Sequence, residues 1–102
     1  MKVDKVYMLK KLKEKYQKEG LNIIGFFGSF SRETETNKSD FDILYELSPK
    51  FIKSYKGFQA FSRLSEIKKE LSKKLKIKVD LAAKSGLSKT ARKYIFRDLK
   101  YV

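Results

Sequence analysis

Residues 40–47, Asp-Phe-Asp-Ile-Leu-Tyr-Glu-Leu, alternate strictly: Phe41, Ile43, Tyr45 and Leu47 point one way, and Asp40, Asp42, Leu44 and Glu46 point the other. A segment with this period of two is a strand with one apolar face, and that face has to be covered. Ile77–Ala82 repeats the pattern, with Ile77, Val79 and Leu81 on the buried side and Lys78 and Asp80 opposite. Leu21–Phe27 (LNIIGFF) is a short, nearly continuous apolar run, which suits a strand buried on both faces.

Helical patterns supply the cover. Between Asp4 and Glu19, Val6, Leu9, Leu12 and Tyr16 recur three or four residues apart, and Gly20 follows where a helix ends. Phe58–Leu75 carries Phe61, Leu64, Ile67, Leu71 and Leu75 at helical spacing, which places Phe58 and Phe61 with Phe41 and Tyr45 in the core. Ser88–Leu99 reads as a last helix using Ala91, Ile95 and Leu99, with Ser88 as N-cap. Gly28–Ser39 is small and polar, a loop with at most one helical turn. The expected class is α/β (α+β), a small mixed sheet covered by helices in the order α-β-loop-β-α-β-α. No linker interrupts it, so residues 1–102 are expected to form a single domain.

Composition narrows the chemistry. The 102 residues contain no His and no Cys, which removes thiol nucleophiles, Ser-His-Asp arrangements, Cys/His zinc sites and disulfides. No apolar run approaches the roughly 20 residues that span a bilayer, and residues 1–15 lack a signal-peptide core, so a cytoplasmic protein without membrane contact is expected. The net charge is +13, a balance that suits an anionic partner. It is unevenly laid out. Residues 20–49 hold two basic side chains, Arg32 and Lys38, against five acidic ones and carry −3, leaving +16 elsewhere.

Within that acidic island, Asp40 and Asp42 leave the same face of a strand with Cα atoms roughly 6.5 Å apart. They repel unless a cation sits between them, and magnesium takes such oxygen ligands together with substrate phosphates. If the strand bearing Asp80 is a neighbour, three carboxylates converge and could hold two metals around a phosphoryl displacement. Gly28-Ser29, at the end of an apolar strand, suits close approach of phosphate oxygens. Neither G-x-G-x-x-G nor the Walker sequence is present.

The string Gly28-Ser29-Phe30-Ser31-Arg32, followed by Ser39-Asp40-Phe41-Asp42-Ile43-Leu44 and then Lys78-Val79-Asp80-Leu81, resembles the signature of the polymerase-beta-type nucleotidyltransferase superfamily, above all its minimal prokaryotic members. The resemblance covers essentially the whole chain. It implies that Gly28 and Ser29 contact the triphosphate, that Asp40 and Asp42 ligate two Mg²⁺ ions, and that Asp80 ligates the catalytic one and helps activate the attacking hydroxyl. Arg32 and Ser39 join the nucleotide-binding set, Arg32 near the phosphates or the partner. Two positions depart from the pattern, Glu33 where a Gly is common and Phe30 where a basic residue is frequent, and Ser31 is the small residue that commonly precedes the Arg.

The activity so implied is transfer of AMP from ATP to a hydroxyl, a tyrosine of a HEPN-domain ribonuclease toxin, with that toxin as partner in a hetero-oligomer. The alternative is an antitoxin that binds nucleotide or RNA and neutralises its partner by contact alone. Lys10, Lys11, Lys13, Lys15 and Lys18, with Lys68, Lys69, Lys73, Lys74, Lys76 and Lys78, form either a weak RNA-binding surface or the solvated faces of two helices.

Overall fold

The computed structural model describes residues 2–102. Along the chain run α1 (Lys2–Gln17), β1 (Leu21–Phe27), α2 (Ser29–Arg32), β2 (Phe41–Leu47), α3 (Pro49–Ser54), α4 (Phe58–Leu75), β3 (Val79–Ala83), α5 (Lys89–Asp98) and β4 (Lys100–Tyr101). The strands form one mixed sheet in the order β3-β2-β1-β4. Antiparallel pairing joins β1 to β2 and to β4, whereas β2 and β3 run parallel through the crossover made by α3 and α4.

The alternation in β2 does what its period requires. Phe41, Ile43 and Tyr45 enter the main core, and Leu44 is fully buried on the other side, so the second face of the strand is only partly polar. The continuous apolar run of β1 has a different origin from burial on both faces. Ile23 pairs with Tyr45 but Gly25 pairs with Leu44, leaving one extra residue on β1. This bulge shifts the phase, so the core-facing residues are Leu21 and Ile23 before it and Phe26 after it. Gly25 has a second reason to be glycine, because a β-carbon there would collide with the Lys100 carbonyl oxygen and prevent β4 from pairing.

Leu9, Leu12 and Tyr16 of α1 and Ile67, Leu71 and Leu75 of α4 cover the sheet. Each such side chain contributes about 1.5–3 kcal/mol on burial. The apolar stripe of α4 stops short of its beginning: Phe58 is 90% and Phe61 72% exposed, not in the core. Length explains this, since 18 residues of helix span about 27 Å and the five residues of β3 only about 17 Å. The first turns of α4 therefore overhang the sheet.

Arg63 ties the helices together. Its Nε and Nη2 donate to the two carboxylate oxygens of Glu19 at 2.7 and 2.6 Å, and its Nη1 donates to Glu70 at 3.0 Å. The Tyr16 hydroxyl donates to Glu70 at 2.7 Å and the Tyr55 hydroxyl to Glu19 at 2.8 Å. Ser88 caps α5 as its position suggests, its Oγ accepting from the Ala91 N–H at 3.1 Å. β4 is too short to carry a sequence pattern, and α3 announces itself only by Pro49 after Ser48. No described helix is long and apolar enough to cross a membrane.

Candidate active site

The parallel ladder between β2 and β3 places Asp42 directly opposite Asp80. Neighbouring strands lie about 4.8 Å apart, so the two carboxylates leave the same face of the sheet through backbone geometry alone. Asp40 stands just before β2, where the Phe41 N–H donates to the Lys78 carbonyl at 2.9 Å and fixes the start of the ladder. Asp42 and Asp80 are therefore held side by side with Asp40 at the head of the ladder, and the strand adjacency that their convergence needs is present.

Their charges are unequally compensated. Lys68 Nζ, reaching down from α4, lies 3.4 Å from Asp80 Oδ1, and Lys78 Nζ lies 3.8 Å from Asp40 Oδ2. Asp42 has no such partner among the described residues: burial first, then Asp80 and Asp40, push its carboxyl up to about 6, with Arg32 pulling the other way. Lys68 and Lys78 thus lie against the candidate carboxylates, although by sequence both belong equally to a solvated helix face or an anion-binding surface. For Lys78 there was a signal, since it shares a strand face with Asp80; for Lys68, twelve residues upstream on a helix, there was none.

Gly28 closes the other side. It follows Phe27, the cross-strand partner of Asp42, and its φ of +79° lies in the region that favours glycine. A β-carbon at Gly28 would collide with Asp42 Oδ2, so the turn after β1 rests on the carboxylate with no room for a side chain. The Gly28 carbonyl accepts from the N–H groups of Ser31 and Arg32, both at 3.1 Å, and from Ser31 Oγ at 3.0 Å, which seats Ser29 at the start of α2 beside Gly28.

Arg32 and Ser39 are engaged elsewhere. Arg32 Nη1 donates to Asp98 Oδ2 at 2.9 Å, linking the loop to the end of α5 and holding the Asp98 carboxyl below its usual range. Ser39 Oγ accepts from the Thr36 N–H at 2.8 Å and closes the turn that precedes Asp40. Chemically the site is an anionic all-oxygen donor set of three carboxylates with two ammonium groups, the kind that hard divalent cations take. Among the described residues, no three acidic side chains are gathered into a group ready to hold an ion.

Compared with known proteins, residues 7–102 match the family described as "Nucleotidyltransferase domain". The chain belongs to the nucleotidyltransferase domain family. A protein of Methanocaldococcus jannaschii named "Putative protein adenylyltransferase" is 38% identical to this nucleotidyltransferase over 94 residues, which are 89% of this chain and 83% of that one. "Protein adenylyltransferase MntA" of Thermococcus cleftensis is 30% identical over 93 residues, 91% of this chain and 83% of the relative. A solved structure described as a "putative minimal nucleotidyltransferase" superposes with a TM-score of 0.66 at 22% identity over 95% of both chains. That match establishes that the nucleotidyltransferase shares its fold, an α+β arrangement around a mixed sheet.

Proposed function

We propose that this nucleotidyltransferase transfers AMP from ATP to a protein hydroxyl, a tyrosine of a HEPN-domain ribonuclease, and so acts as its antitoxin in the cytoplasm. The observation that carries this reading is the Asp42–Asp80 cross-strand pair with Gly28 packed against Asp42. The relatives named protein adenylyltransferases support protein as the acceptor class.

The donor set fits Mg²⁺. The Gly28 turn leaves no side chain between its backbone and Asp42, and the three carboxylates outnumber the two lysines beside them. Asp40, Asp42 and Asp80 would hold two Mg²⁺ ions, which supply charge neutralisation and polarise the phosphate. The chain's own groups do the remaining work. Gly28 and Ser29 offer backbone N–H and hydroxyl donors to phosphate oxygens. Lys68 and Lys78, already at the carboxylates, turn to the triphosphate. The acceptor oxygen bonds to the α-phosphorus, the bond from the α-phosphorus to the bridging oxygen breaks, and pyrophosphate departs with that electron pair. In a chain without His, Asp80 takes the hydroxyl proton.

Mass spectrometry of the HEPN partner after incubation with ATP and Mg²⁺ tests this. Tyrosine carrying AMP is expected with the wild type and not with Asp42→Asn. Unmodified partner in both samples would refute transfer, and silencing of the toxin by Asp42→Asn would assign the antitoxin effect to contact.

A further inference from the structure

Phe58 and Phe61 stand one helical turn apart at the start of α4, 90% and 72% exposed. With Gly57 they line a shallow apolar pit, and a β-carbon at Gly57 would meet nothing within 4 Å. Single apolar residues on a surface are ordinary, but adjacent large ones mark a surface that something covers. Phe58 precedes Lys68 by ten residues, about 15 Å along the helix axis, so this corner is not part of the carboxylate site.

The charged residues of α3 and of the turn that leads into Gly57 are all basic. Lys50, Lys53 and Lys56 are exposed, and none makes an ion pair among the described residues. The next cation, Arg63, is already held by Glu19 and Glu70. The first turn of α4 has neither an acidic residue nor a side-chain cap, so the positive end of its dipole adds to the lysines.

We propose that the α3–α4 corner is a docking surface for an acidic protein partner, which seats an apolar side chain against Phe58 and Phe61 and sets carboxylates against Lys50, Lys53 and Lys56. A second copy of this chain fits poorly, because a two-fold contact would bring the same lysines face to face. RNA fits less well too. The pit lined by Gly57, Phe58 and Phe61 gives an apolar anchor a socket but offers a base edge no side-chain donor or acceptor.

A random peptide library displayed on phage, depleted on a Phe58→Ser/Phe61→Ser variant and then panned on the wild type, tests the assignment without using the catalytic site. Both residues are exposed, so the variant should melt within about 2 °C of the wild type. Recovered peptides should be acidic with aromatic or aliphatic anchors, and should bind the variant and Lys53→Glu/Lys56→Glu at least tenfold more weakly by calorimetry. No enrichment, neutral or basic sequences, or binding unchanged by either variant would overturn the proposal. So would a concentration-dependent dimer in sedimentation, or single-stranded RNA binding, that the Phe58→Ser/Phe61→Ser substitution abolishes.

Discussion

Two clusters of carboxylates occupy this small fold, and they are treated in opposite ways. Around Arg63 every acid has a partner: guanidinium and tyrosine hydroxyls hold Glu19 and Glu70 below the usual carboxylate range. At the end of β2 and β3, three aspartates share two lysines, and Asp42 is forced up to about 6. The first cluster joins α1, α4 and the segment after α3 and stabilises the fold. In the second, burial and the two neighbouring aspartates leave Asp42 raised, as the proposed role in chemistry would need.

The largest contrast should come from Asp42→Asn. Removing this carboxylate is expected to lower AMP transfer by at least about 100-fold, while in EDTA the thermal midpoint rises, because a repelled charge disappears. Activity assays beside thermal melts check both halves, and a variant that loses stability in EDTA would show that Asp42 is not repelled. Next is Arg63→Met. It strands Glu19 and Glu70 without their cation and should cost about 2 kcal/mol, less than a fully buried pair because Glu70 keeps 37% exposure. For a domain of this size that is a fall of about 10 °C in Tm.

The clusters should also respond to pH with opposite signs. The Glu19 and Glu70 carboxyls are lowered in the fold, so their contribution is present above their ordinary value near 4.5 and is lost as the solution is acidified through the lowered values. Asp42 is raised, so it favours the fold at low pH and disfavours it as pH rises from about 4 through about 6. Urea titrations in EDTA should therefore show wild-type stability declining between about pH 4.5 and pH 6, and Asp42→Asn should flatten that decline. The smallest effect belongs to Asp98→Asn. Its ion pair with Arg32 lies at the surface, so the melting temperature should stay the same within error.

How much of this was legible in the sequence depended on how far each element's signal extended. Asp40–Leu47 announced its strand through period-two alternation, and Phe58–Leu75 matched its helix end to end because Gly57 and Lys76 flank a regular apolar stripe. That stripe could not say where the sheet beneath it ends, so Phe58 and Phe61 looked like core. A bulge at Ile24 mixed two phases in β1 and imitated a strand buried on both faces. The two residues of β4 carry no periodicity at all, and six residues of α3 offered only Pro49 after Ser48, a start signal of the kind Pro gives at a first helical position. At the site, the aspartates and Gly28 were visible as types at a spacing. Lys68 was not, because a helix-to-strand contact across twelve residues has no local pattern.

The parallel pairing of Asp42 with Asp80 has a consequence for how such a chain can change. Hydrogen bonds of the backbone set the distance between these carboxylates, as the rungs of a ladder set the distance between its rails, and the residues of the 33–39 loop take no part in it. The residues of that loop can thus change while the spacing of the acidic pair stays fixed by the strands.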